Sequence, residues 1–491
     1  RCELIDRLRN HQRARFGASS ERAAVSQLTD DLLDPMEPAD QAALAEAPLA
    51  GNAAPARQRG ESGPRARQPL PAHFERISER HDFDEPTLAT LREANGGALE
   101  ELSVEVTDTL EYRPGEVFVT RHELPRYGLT DTDGERTVVS PPLRSAPIPG
   151  AQVGASLLAH VAVGKVVDHL PLNRMSQQFA RDGIDLSRQR LDDYLLATAR
   201  AVEPLAERLR EAALASPVLH SDDTPVPQRE RGRRTTRTAR IWAYLGRGRD
   251  DGALIPFFTY TSDRKQAAPL AMIGDYSGYL QADAYPGYRN ADRLPDGPRW
   301  VACWAHARRG FEKVARKQRH RGRSAIALKL IRALYQLETR LERDGVTDPG
   351  AIAAARQARA VPILKRLHAY LDNLATRLTP KTELGSAVQY ALNQWAELVR
   401  YTEDGRLEPD NNRCERLLRG VCVGRKNWMF TGAKTGGDAL ATLLTVIEAC
   451  RLNGINPRDY LIDVLRRIQD YPVNRLDELL PHHWASLTLT G

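Results

Sequence analysis

The sequence lacks any CxxC pair. Its five cysteines, Cys2, Cys303, Cys414, Cys422 and Cys450, stand singly, which excludes a disulfide framework or a thiol zinc site and points to a reducing compartment. A long apolar run is missing too, since none approaches the roughly 20 residues needed to cross a bilayer. No signal peptide is recognisable at the start, so a cytoplasmic protein without a membrane partner is expected. Nor does one sign of charge dominate. The 70 basic and 64 acidic residues leave a formal charge of only +6, and local clusters of arginine say more than that sum. What the chain does have is 491 residues with 41% hydrophobic content, enough for about two to four domains with cores of their own.

Residues 1–33 read as a basic helical arm with Leu4, Ile5 and Leu8 as an apolar stripe. It is either an exposed helix or an arm for dimerisation or DNA contact. Residues 34–75 are rich in Ala, Pro and Arg, too poor in large apolar side chains to fold, and read as a linker. Residues 76–150 carry Val, Thr and Tyr between turn signals (Asn95-Gly96-Gly97, Pro114-Gly115, Asp133-Gly134), the pattern of a small strand-rich module. Residues 151–216 turn helical, with Ser187 as a cap and a turn at Gly183, and read either as a helix-turn-helix or as a pair that merely packs.

From 217 to 323, the runs PVLHSDDTPVP, ARIWAYLGR, ALIPFFTYTS and GYLQADAYPGY alternate with polar turns, then RWVACWAHARRGFEKVARK passes from strand into basic helix. That order predicts a mixed sheet flanked by helices. Residues 324–405 read as an all-helical insertion, 406–440 as the second part of the core, and 441–491 as C-terminal helices.

Three places hold carboxylates in settings that suit chemistry. Asp222 and Asp223 follow Val218-Leu219-His220 and are expected at a strand end, before a Thr224-Pro225 turn. Asp283 lies where LQA meets Pro286-Gly287. Glu415 sits in DNNRCERLLRG, read as a short helix capped by Asp410 and ended by Gly420, with a basic strand and a glycine-rich turn to follow. Asn411, Asn412 and Glu415 share one helical face by spacing. Each acid alone reads equally well as a turn or cap residue. Together they would repel unless cations neutralised them, so their convergence would imply divalent metal.

The strings HSDDTPV, LQADAYPGY, ACWAHARRGFEK and DNNRCERLLRGVCVGRKNWMF, with the tail LLTVIEACRLNGINPRDYLIDVL, resemble the insertion-sequence-66 type transposases. The likeness extends back through GKVVDHLPLNRMSQQFARDGIDLSRQRLDDYL and RQPLPAHFERI to RARFGASSER. The resemblance implies a multidomain α/β protein with an RNase H-like catalytic core of the DDE class. It implies Asp222, Asp283 and Glu415 as a triad holding two Mg²⁺ or Mn²⁺ ions, with Asp222 preferred to Asp223 and the doublet still ambiguous. Asn411 and Asn412 would support the helix start and the metal's surroundings; His306 is either a contact to a phosphate or metal-bound water or a structural imidazole. In one respect the chain departs from its relatives: where their module corresponding to 76–150 resembles a zinc ribbon, LREANGG and LPRYGLT offer no thiolates, so no zinc site is expected.

The implied reaction is cleavage at transposon ends followed by attack of the freed 3′-hydroxyl on target DNA, without a covalent protein intermediate. Basic clusters flank the three acids: Arg229, Arg233, Arg234 and Arg237; Arg308, Arg309, Lys313 and Arg316; and Arg416, Arg425 and Lys426. They are read as phosphate contacts. The expected partners are DNA, further copies of the chain and small accessory proteins, at a bacterial nucleoid. The alternatives are an inactive or partner-dependent DNA-binding protein of the same fold, and an RNase H-like nuclease.

Overall fold

The computed structural model describes residues 153–488 apart from short breaks at 231, 233, 249–251, 266, 292–295 and 321, and before them 89, 115, 127–130, 136–139, 146–149 and 151. The expectations for the basic arm, the linker and most of the strand-rich module therefore lie outside the described residues, as does Arg233. The chain divides into two compact units, Asn52–Glu123 and the remainder, and every element below belongs to the second.

A two-stranded antiparallel ribbon comes first, β1 (Tyr127–Thr130) with β2 (Arg136–Val139). Helices α1 (Ala155–Val166), α2 (Leu172–Arg181) and α3 (Arg188–Leu214) follow. Gly183 turns the chain with φ +83°, and Ser187 caps α3 by accepting the Arg190 N–H at 3.2 Å.

The sheet is built from β3 (Val218–Gln228), β4 (Arg237–Arg247), β5 (Leu254–Thr261), β6 (Tyr279–Gln281) and β7 (Arg299–Val301), in the order β5-β4-β3-β6-β7. The first three strands are antiparallel, and β6 and β7 run parallel to β3. Short helices α4 (Ala267–Ile273) and α5 (Pro286–Ala291) provide the crossovers. Every residue of β4 from Ile241 to Leu245 is buried, as a central strand covered on both faces requires. The edge at β5 is closed by a helix: Phe258 N–H donates to Thr445 Oγ1 at 2.9 Å, and Asn453 Nδ2 donates to the Leu254 carbonyl at 2.9 Å.

After β7 comes α6 (Trp304–Lys317), then α7 (Arg323–Arg343), α8 (Pro349–Ala375), α9 (Glu383–Leu392) and α10 (Trp395–Val399). A buried arginine ties this helical stretch to the chain that returns to the sheet. Arg356 bonds both oxygens of Glu338 (3.0 and 2.7 Å) and the carbonyls of Tyr401, Asp404 and Leu407. Helices α11 (Asn412–Trp428), α12 (Lys434–Leu452), α13 (Pro457–Arg467) and α14 (Pro481–Thr488) complete the unit. Helix α12 lies on β5 where Gly437 leaves room, since a Cβ there would stand 2.4 Å from the Tyr260 ring. No helix among the described residues is long and apolar enough to cross a membrane.

Two local expectations are corrected. Gly420 does not end a helix: α11 continues to Trp428, so no strand follows Glu415. Gly420 and Gly424 instead face His169 of the α1–α2 turn, where a Cβ on Gly424 would meet the ring at 3.2 Å and the Trp428 indole at 2.6 Å. Likewise Asp222, Thr224 and Pro225 are not a strand end and turn but the middle of β3. Pro225 is tolerated because β6 pairs only with residues 218–220, which leaves that side of β3 open further along.

Candidate active site

Because β6 stops opposite His220, Asp222 lies just past the carboxyl end of the parallel part of the sheet, where ligand crevices form in α/β folds. Strand alternation then sends Asp222 and Asp223 to opposite faces. On the Asp222 face, His220 meets Asn411 (Nδ1 to Oδ1, 3.1 Å) and Thr224 meets Cys422 (3.3 Å), both at α11. On the other face, Ser221 Oγ lies 2.8 Å from Tyr288 Oη.

Glu415, in the first turn of α11, and Asp283, in the β6–α5 connection, both act on Asp222. Burial pushes the Asp222 carboxyl well above its ordinary range, and the charges of Glu415 and Asp283 push it further. The backbone N–H of Asp223 donates to Asp222 Oδ1 at 2.8 Å, and none of the leading influences on the carboxyl is a cation. Asp283 Oδ1 accepts the Tyr285 N–H at 3.0 Å, which fixes the turn.

His306 comes to the same place from α6. Its Nδ1 lies 3.6 Å from Glu415 Oε1, and both atoms are buried without a hydrogen-bond partner among the described residues. Cys303, His306 and Glu415 offer ligand atoms within 4.8 Å of one another. The Cys303 thiol is driven well up by burial and then by Glu415, and its sulfur accepts the Asn411 N–H at 3.3 Å, so it serves the fold. Among the described residues Asp222 and Asp283 stand outside that 4.8 Å cluster and reach it through charge alone, so the orphaned Glu415 oxygen beside His306 is the part of the site that suits a divalent cation.

Asp223 is held quite differently. Arg240 Nη1 donates to its Oδ2 at 2.9 Å, while Arg264 Nε and Nη2 donate to its Oδ1 at 3.1 and 2.7 Å. Its side chain is 1% exposed. Burial raises the Asp223 carboxyl and the two guanidiniums oppose that rise. Arg264 in turn stacks over the Tyr285 ring at 4.2 Å, and Tyr285 Oη donates to the Arg264 carbonyl at 2.7 Å. This clamp holds the turn that carries Asp283, and Arg264, which joins Asp223 to Tyr285, had no signature in the sequence.

The approach to α11 is stitched to the sheet from several sides. Gln281 Nε2 donates to the Asp410 carbonyl at 3.0 Å, and Trp304 N–H to the Pro409 carbonyl at 3.0 Å. Asn411 is fully buried and does not cap the helix: its Nδ2 donates to the Ser221 carbonyl at 2.8 Å while its Oδ1 meets His220. Asp410 takes the Asn412 N–H (3.0 Å) and Nδ2 (3.0 Å). Cys414 is buried, with Sγ 3.3 Å from the Ala243 carbonyl.

The basic residues divide into paired and exposed. Arg425 Nη1 donates to Thr224 Oγ1 at 3.0 Å, Arg237 faces Asp263 at 3.6 Å, Lys313 faces Glu383 at 3.7 Å and Arg316 faces Glu312 at 3.9 Å. Arg229, Arg234, Arg416 and Lys426 are exposed, and Arg308 and Arg309 half-buried on α6.

Residues 150–439 match the family described as Transposase IS66 family, residues 445–482 the IS66 C-terminal element, and residues 3–78 a family described as Transposase C of IS166 homeodomain. Among curated proteins, three uncharacterized proteins of Sinorhizobium fredii (strain NBRC 101917 / NGR234) are similar. The one designated y4hP is 35% identical over 98% of this chain and 88% of its own length; y4jD is 32% identical over 79% and 77%; y4qI is 29% identical over 98% and 88%.

Proposed function

The chain belongs to the IS66 family of transposases, and from that premise we propose that it cuts DNA at transposon ends and joins the freed 3′-hydroxyl to target DNA. The observation that supports this reading is that the charges of Glu415, on a helix, and Asp283, in a turn, reach the buried Asp222 carboxyl on β3, and we read the three as one site. The sheet order, three antiparallel strands followed by two parallel ones, supports an RNase H-like core. A divalent requirement is general to such a family, and here two Mg²⁺ or Mn²⁺ ions held by the three acids would supply activation of the attacking oxygen and stabilisation of the leaving oxygen.

The chain's own residues do the rest. Glu415 is aimed by its helix, whose start Asn411 pins to the Ser221 carbonyl. His306 Nδ1, facing Glu415 Oε1, is placed to hold a proton at that edge and to orient the carboxylate. Asp223, Arg240 and Arg264 keep the Asp283 turn in place without entering the reaction. The exposed arginines of the β3–β4 connection and of α11 bind phosphates, which makes binding fall steeply with salt.

The test is a cleavage and joining assay with labelled end DNA and Mg²⁺ or Mn²⁺. Nicking at the end and joining to a target are expected. Intact binding with neither product under any metal would leave only a DNA-binding protein, and cutting of RNA–DNA hybrids without joining would make it a nuclease.

A further inference from the structure

The residues just after α11 carry a backbone that an ordinary loop would not choose. Met429 has φ +64° and ψ −42°, and the Phe430 N–H donates to the Trp428 carbonyl at 2.8 Å. This is the three-residue γ-turn with positive φ, which is rare and strained for any side chain but glycine. Strain of this kind persists only where the surroundings impose it. They do so on both sides. Before the turn, Met429 N–H donates to the Arg425 carbonyl at 2.8 Å, and Lys165 lies over the Trp428 ring at 4.8 Å. After it, Thr431 is locked to β3 by its N–H to the Pro227 carbonyl (2.9 Å) and by the Arg229 N–H to its own carbonyl (2.9 Å). Its hydroxyl meets Tyr260 Oη at 3.1 Å.

What the strain achieves is to drive a long apolar side chain outward. Met429 is 63% exposed, one of three exposed large hydrophobics among the described residues with Ile326 and Val473, and of these three it alone has positive φ. Its surroundings are cationic: Arg229 lies over the Phe430 ring at 5.8 Å, Arg425 and Lys426 precede it in the last turn of α11, and Lys434, paired with Asp438 at 2.7 Å, follows. An exposed methionine with cationic side chains on both sides of it along the chain has little to gain from an apolar protein partner. It matches a duplex, whose phosphates take the cations and whose base steps accept an apolar wedge.

We propose that Met429 is such a wedge, inserted between adjacent bases of the bound end DNA. The inference rests on the reading of the chain as a DNA-cutting transposase. It also fixes a distance. The helix from Glu415 to Met429 spans about 21 Å at 1.5 Å per residue, and the strand from Asp222 to Gln228, which bridges Thr431, spans about 20 Å. The wedged step therefore lies about six steps from the cleaved phosphodiester, at 3.4 Å per step.

The experiment uses the full chain and terminal duplexes of its own element, carrying 2-aminopurine singly at successive steps from the cleaved end. Anisotropy reports binding and 2-aminopurine fluorescence reports unstacking. With the wild type, fluorescence rises several-fold at one position about four to eight steps in, consistent with the 3.4 Å rise. Met429→Ala and Met429→Gly lose that rise, Met429→Leu keeps it, and Met429→Gly melts at or above the wild-type temperature because glycine relieves the turn. Binding without a rise at any position, or a rise that survives in Met429→Ala, overturns the wedge while leaving the DNA reading in place. Met429→Gly melting well below the wild type overturns the strained turn. No binding at any salt concentration overturns the DNA reading and the wedge with it.

Discussion

Asp222 and Asp223 are neighbours on one strand, and their surroundings are opposite. Asp223 is almost wholly buried yet accepts three hydrogen bonds from Arg240 and Arg264, so its charge is answered inside the protein. Asp222 faces Glu415 and Asp283 and meets only a backbone N–H, so its charge is left for something else to answer. Alternation along β3 is the whole cause. One residue of register decides which acid is neutralised by arginines and which is left beside other carboxylates, and a carboxylate doublet in a strand is best read as two different residues.

The largest effect expected from breaking this contrast is on chemistry. Asp222→Ala, Asp283→Ala and Glu415→Ala should each lower end cleavage on the order of a thousandfold, since loss of metal-held charge stabilisation amounts to several kcal/mol. DNA affinity, measured by anisotropy, should change by no more than about threefold, because the exposed arginines proposed to meet phosphates are untouched. A variant that cleaves at the wild-type rate would remove its residue from the site.

Asp223→Ala should act on the other side of the comparison. It leaves two guanidiniums without their buried partner and should cost about 3 kcal/mol of stability, read as a lowered denaturant midpoint with an unchanged slope. Below its melting transition the variant should still cleave. If it folds as stably as the wild type but no longer cleaves, the roles assigned to the two aspartates are reversed.

Much of this was legible beforehand, for reasons that can be located. The apolar runs at 218–220, 241–245 and 254–261 and the passage from Trp300 into α6 belong to regular elements whose periodicity is local. The five-stranded mixed sheet, in a mostly helical protein, follows from them. The errors fall where tertiary contacts override local signals. Thr224-Pro225 looked like a turn because proline cannot donate to a ladder, but β3 is open on that side and needs no donor. Gly420 looked like a helix end, yet here a glycine face of α11 admits His169. Asn411 was expected to support the helix start, whereas its amide spans to β3, a contact across 190 residues that no window of sequence contains.

That contact yields the next prediction. Asn411→Ala removes two side-chain hydrogen bonds and leaves the Ser221 carbonyl unpaired in a buried place, which should cost about 2 kcal/mol. Because the same amide sets where α11 begins relative to β3, cleavage measured well below the melting temperature should also fall, through displacement of Glu415. Lost stability with a fully retained rate would make Asn411 a purely structural residue.

The smallest effect concerns the charge of Asp222 itself and runs against the usual direction of mutation. The folded state holds the Asp222 proton more tightly than the unfolded chain does, because burial and two neighbouring carboxylates raise its pKa. In the absence of divalent metal, stability therefore falls as pH rises from the ordinary carboxylate range to the raised folded value, and stays lowered above it. Asp222→Asn keeps an acceptor for the Asp223 N–H but carries no charge. It should match the wild type in acid and exceed it at pH values above the raised pKa by about 1 kcal/mol, the scale on which single substitutions act. Adding Mg²⁺ should reverse the order, since a ligand that binds only the folded wild type raises its stability by about 2.7 kcal/mol at a hundredfold excess over Kd. Thermal melts across pH, with and without Mg²⁺, check both halves. A wild type that outlasts Asp222→Asn in metal-free buffer at neutral pH would mean that the three acids do not repel one another in the folded chain.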